Sequence, residues 1–86
     1  MTPEDLRLET RTYLYARPLA SLNADEIAHG LGRKGYRVTR EQVVEALHFL
    51  EGLQPTQVMR HRNPLGGNSP NWQITSAGSL AHERNE

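Results

Sequence analysis

The sequence predicts an α+β fold: three helices, a short strand, a β-hairpin and a short terminal helix in one domain of 86 residues. Three observations carry this. Capping residues recur at Thr2, Asn23 and Thr39, each ahead of a helix-compatible stretch. Val43, Val44, Leu47, Leu50 and Leu53 form an apolar stripe at helical spacing. Two short segments rich in β-formers then flank the turn-rich loop Asn63–Pro70.

The first helix is expected over residues 3–17. Thr2 supplies a capping hydroxyl, Pro3 suits the first helical position, and Glu4 and Asp5 place negative charge where the helix dipole favours it. Leu6, Thr10, Tyr13, Leu14 and Arg17 share one side, while Leu8 and Tyr15 fall on the other. The second apolar side needs a partner, either the C-terminal segment or another molecule. Pro18 ends the helix. A second helix is expected over 24–31, because Asn23 and Glu26 have capping-box spacing and Ile27, Ala28 and Leu31 follow. Gly30, Gly32 and Gly35 break that pattern, and Tyr36–Val38 reads as a brief strand. Thr39 and Gln42 make another capping pair, opening a third helix over 40–53 that Gly52 and Pro55 close. The hairpin strands are expected at 57–62 and 71–75, with Trp72 and Ile74 facing the core. A short helix follows at 76–82.

Composition bounds what such a domain does. Without cysteine there is neither a disulfide framework nor a thiolate metal site, which suits a reducing cytoplasm. Ten basic residues balance ten acidic ones, so attraction to a polyanion must be local. No apolar run approaches the roughly 20 residues of a membrane span, and a cytoplasmic, unanchored protein is expected.

The element order, together with Ile74-Thr75-Ser76-Ala77-Gly78 after the hairpin, resembles the winged helix-turn-helix family of DNA-binding domains from about Leu6 to Leu80. In that resemblance residues 40–53 are the recognition helix and 57–75 the wing. The connection Leu31–Tyr36 is longer and richer in glycine than the family's compact turn.

Other chemistries find weak support. Gly30-Leu31-Gly32-Arg33-Lys34-Gly35 spells the dinucleotide fingerprint, but it follows a helix rather than a strand and precedes no helix directly. It is read as a connector, and no cofactor is expected. His29, His48, His61 and His82 show no metal-ligand spacing, so no metal is expected. No local signature joins a nucleophile to a base, so no enzyme is expected.

Charge distribution is more informative. Residues 33–62 hold six of the ten cations against three carboxylates. The resemblance implies that these meet duplex DNA, with the third helix in the major groove and the wing on an adjacent groove or phosphate strand. Arg40 and Gln42 would approach bases and Thr39 a phosphate, while Arg33, Lys34, Arg37, Arg60 and Arg62, with His61 beside them, would neutralise the backbone. Against dense base reading, Glu41, Glu45 and His48 occupy the face opposite the apolar stripe. The expected role is a transcriptional regulator or an accessory protein of a mobile element. The alternative is a protein-interaction or homodimer module using Leu8, Tyr15 and Phe49.

Overall fold

A computed structural model describes residues 1–67 and 69–86; Asn68, within the expected loop 63–70, lies outside the described residues. Helix α1 spans Pro3–Tyr15, α2 Ala24–Arg33, α3 Arg40–Glu51 and α4 Ser76–Glu83, with strands β1 Val58–His61 and β2 Asn71–Ile74 between α3 and α4. All three expected caps form. The Thr2, Asn23 and Thr39 side chains accept the amides of Asp5, Glu26 and Gln42, whose side chains accept in return from the capping residues' amides.

The core collects Leu6, Tyr13 and Leu14 from α1, Ala24, Ile27 and Leu31 from α2, and Val43, Ala46, Leu47 and Leu50 from α3. Val58, Trp72 and Ile74 close it from the hairpin, and Trp72 is 2% exposed. The strands pair antiparallel, with Val58 opposite Ile74 and Arg60 opposite Trp72. Tyr15 uses the second side of α1 on the chain's own C-terminus: its hydroxyl donates to Glu83 Oε2 at 2.8 Å and its ring lies 4.3 Å from that of His82.

Two expectations change. Among the described residues, 36–38 pair with no strand. The free edge of β2 is taken instead by Leu22, whose amide donates to the Trp72 carbonyl at 2.9 Å and whose carbonyl accepts from the Trp72 amide at 2.7 Å. A lone bridge after Pro18 has no periodic signature in sequence. Helix α2 also runs through Gly30 and Gly32. A Cβ at Gly30 would meet the Tyr13 hydroxyl, so this glycine admits a close helix contact. The helix ends in a Schellman motif, with Gly35 at φ +97° and bonds from Gly35 to Gly32 and from Tyr36 to Leu31. The apparent dinucleotide fingerprint is a packing glycine followed by a helix stop. Smaller shifts end α1 at Tyr15 and α3 at Glu51, and among the described residues no helix is long and apolar enough to cross a membrane.

Candidate nucleic-acid interface

Helix α3 buries Val43, Ala46, Leu47 and Leu50 and leaves Glu41, Glu45 and His48 exposed. At about 100° per residue, Arg40, Val44 and Glu51 then flank one side of the buried stripe, Gln42 and Phe49 the other. The contacts agree: Arg40 and Glu51 reach the hairpin, whereas Gln42 lines a hollow with Met1, Thr2 and Leu6. Arg40 and Gln42 therefore point to opposite flanks. Gln42 Oε1 also accepts the Thr39 amide at 2.9 Å while Thr39 Oγ1 accepts the Gln42 amide at 3.2 Å. Both side chains stabilise the helix start, which narrows what either offers a ligand.

Arg40 joins three elements. Its Nη2 donates to Ser69 Oγ at 2.8 Å, and its Nε lies 3.5 Å from Asp25 Oδ1 in the first turn of α2. The returning limb of the wing thus meets the N-terminal end of α3 at Ser69. Beside this contact, Arg60, Arg62, Asn63, Gly67, Ser69 and Pro70 line an open hollow of about 210 Å³. Three of the expected cations, Arg40, Arg60 and Arg62, are brought into one neighbourhood through Ser69.

Arg60 is not free there. Its Nε and Nη2 donate to the two carboxylate oxygens of Glu51 at 2.9 and 2.8 Å, and its guanidinium lies 4.9 Å from the Trp72 ring centroid. The double hydrogen bond holds the Glu51 carboxyl below its usual range against the opposing effect of partial burial, and raises the Arg60 guanidinium. On the other face of the hairpin, His61 Nε2 lies 2.8 Å from Gln73 Oε1, and Gln73 Nε2 donates to the Pro18 carbonyl at 2.8 Å. With Gln73 so oriented its oxygen accepts, which assigns the proton to His61 Nε2. Gln73 thus braces the hairpin against Pro18 in the segment after α1, and His61 holds Gln73 in that orientation.

Other expected residues are not brought in. Lys34 Nζ lies 5.6 Å and Arg17 Cζ 3.8 Å from the Tyr13 ring centroid, on the α1 side of the molecule. Arg33 and Lys34 sit at the C-terminal end of α2, whereas Arg40 meets its N-terminal turn, about 13 Å away along the helix. Arg37 is exposed in the connection before α3.

The expected interface residues also divide. Tyr15 is engaged with α4, while Leu8 and Phe49 border a hollow of about 240 Å³ between α1 and α3, with Arg7 3.6 Å from the Phe49 centroid. Asp25, Ser69 and Glu51 were missed as partners of the cations. Glu51 was accessible to helical geometry, since it shares the hairpin-facing flank with Arg40. Ser69 carries no such signal, because its position depends on how the wing folds back. Among the described residues no group of three or more His, Asp or Glu side chains gathers where a metal could be held.

No protein-family model and no curated protein matches the sequence. Among solved structures, the chain is similar to the S. aureus MepR–DNA complex, with a TM-score of 0.75 and 23% identity over 94% of this chain and 60% of that one. It is also similar to S. aureus MepR in a DNA-binding conformation (TM-score 0.72, 24% identity, 93% of this chain and 53% of that one). A MepR mutant bound to an oligodeoxyribonucleotide aligns with TM-score 0.72 at 23% identity, over 94% of this chain and 56% of that one. The chain thus spans between half and three-fifths of those chains. A likeness at this identity establishes the fold, and the fold is the winged helix-turn-helix.

Proposed function

We propose that this domain binds duplex DNA as part of a transcriptional regulator, with the N-terminal end of α3 and the wing as the contact surface. The carrying observation is the Arg40–Ser69 contact, which sets the start of α3 beside the hollow lined by Arg60 and Arg62. From Gly52 to His82 the sequence contains no carboxylate, so little on the wing itself repels phosphate. The likeness to DNA complexes of MepR supports the reading at the level of the fold. An accessory role on a mobile element has no observation behind it.

Base reading is sparse in this arrangement. Gln42 is committed to the helix cap, Arg40 is shared between Asp25 and Ser69, and the outward carboxylates of Glu41 and Glu45 face away from the core. Affinity is expected to come chiefly from phosphate contacts and to fall steeply between about 50 and 200 mM salt. Fluorescence anisotropy with a labelled duplex at the two salt concentrations tests this, and absence of binding at both refutes it.

The second reading, association with another protein or a second copy, is favoured by the apolar hollow bordered by Leu8 and Phe49, which are 48% and 43% exposed. Sedimentation velocity over a range of concentrations tests self-association; a Leu8→Glu variant that sediments as the wild type does, at every concentration, removes the second copy from consideration.

A further inference from the structure

We infer that Leu65 is an apolar wedge by which the wing enters the minor groove and favours A·T-rich DNA containing easily unstacked steps. The inference rests on the DNA-binding reading above and assigns this residue a role in specificity within it.

A lone exposed leucine means little by itself. Leu65, at 95% exposure, differs in how it is held. Its amide donates to Asn63 Oδ1 at 3.0 Å, and the Gly66 amide donates to the Asn63 carbonyl at 3.1 Å, so a hydrogen-bonded turn presents the side chain outward. Gly66 and Gly67 follow at φ +83° and +94°, where L side chains are strained, and a Cβ at either would meet nothing within 4 Å. The glycines are thus required by the backbone, and they leave bare backbone next to the exposed Leu65 side chain.

The surroundings select the occupant. Arg62 is exposed three residues before Leu65, and the carboxylate-free stretch runs through the entire wing. A polyanion suits this tip better than an apolar protein surface does. The Arg40–Ser69 contact ties the returning limb of the wing to the start of α3, so a helix seated in one groove carries the tip toward the next. A minor groove roughly 6 Å wide admits a bare turn but not a helix. Leucine is among the side chains that partly unstack base steps when inserted there, and pyrimidine–purine steps yield most easily. The guanine amino group projects into the same groove and obstructs entry at G·C pairs.

The test compares wild type, Leu65→Ser and Leu65→Met on two duplexes of equal length, one A·T-rich with central TA steps and one G·C-rich, by anisotropy at several salt concentrations. A 2-aminopurine beside a TA step reports unstacking. Leu65→Ser is expected to weaken binding to the A·T duplex by roughly three- to tenfold, to leave the G·C duplex nearly unchanged, and to abolish the 2-aminopurine signal. Because Leu65 carries no charge, the salt slope should not change. Leu65→Met should retain the preference, and all three proteins should melt together. Equal affinities of wild type and Leu65→Ser for both duplexes, or an equal loss on both, would overturn the inference while leaving DNA binding intact. Failure of the wild type to bind either duplex would overturn the DNA-binding reading, and the wedge with it.

Discussion

The Glu51–Arg60 pair shows how a residue that reads as a phosphate ligand is spent inside the fold. Both Glu51 oxygens are engaged by the same guanidinium, so a phosphate must compete with a carboxylate already in place. Glu51→Gln is therefore expected to strengthen DNA binding, most visibly at low salt, as anisotropy would show. It should also cost a little stability at neutral pH. Glu51 has a lowered folded-state pKa, so its contribution is present above its ordinary value of 4.5 and lost as pH falls through the lower folded value. The melting-temperature gap between wild type and Glu51→Gln should accordingly narrow below about pH 4.5; a constant gap would remove the ion pair as its cause. Arg11 poses the opposite problem. It is 5% exposed, donates from Nη1 to the neutral Gln57 Oε1 at 3.0 Å, and leaves Nε without a partner. Burial lowers its pKa against the pull of Glu86. A buried cation so poorly matched is replaceable, and Arg11→Met should leave stability unchanged or raise it by about 1 kcal/mol in urea unfolding.

Among the elements, glycines separate by what surrounds them. Gly32 lies in α2 with nothing within 4 Å of an added Cβ. Gly32→Ala should stabilise by a few tenths up to about 1 kcal/mol, through helix propensity alone. At Gly78 a Cβ would run into the Gln57 carbonyl oxygen and lie 2.8 Å from Ile74 Cγ1. That carbonyl also accepts the Thr75 amide at 3.0 Å, so it cannot simply retreat. Gly78→Ala should destabilise by roughly 2–4 kcal/mol. Chemical denaturation of the two variants checks both signs, and equal effects would contradict the close approach of α4 to the start of the wing. Helix starts were legible because a cap and its reciprocal partner lie three residues apart. The stop of α2 was misplaced because Gly30 and Gly32 look identical to Gly35 in sequence, although only Gly35 of the three has positive φ.

For the molecule as a whole, the cations divide by location. Arg62, exposed on the wing beside the start of α3, should carry a phosphate contact, and Arg62→Ala should reduce the salt slope of binding by about 1. Lys34→Ala should leave the slope unchanged, because Lys34 lies against Tyr13 on the α1 side. Equal effects of the two substitutions would mean that the wing and α3 do not form the contact surface. The expected group of cations was thus legible as an excess in the middle of the chain, but its membership was not. Chain proximity joins Lys34 to Arg37 and Arg40, whereas the Schellman stop and the extended connection after it carry Arg40 to the opposite end of α2.

By itself the sequence determined what depends on neighbours a few residues apart: three capped helices, the apolar stripe of α3, a hairpin alternating Trp72 with Ile74, and a wing without carboxylates. Tertiary structure decided everything that depends on groups distant along the chain. It gave the edge of β2 to Leu22, paired Arg60 with Glu51, set Ser69 against Arg40 and turned Tyr15 onto α4. The physical reason is the range of the forces involved. Caps and periodic burial are written in local spacing, while the partner of a guanidinium or a hydroxyl is whichever complementary group the packed core brings within about 3 Å.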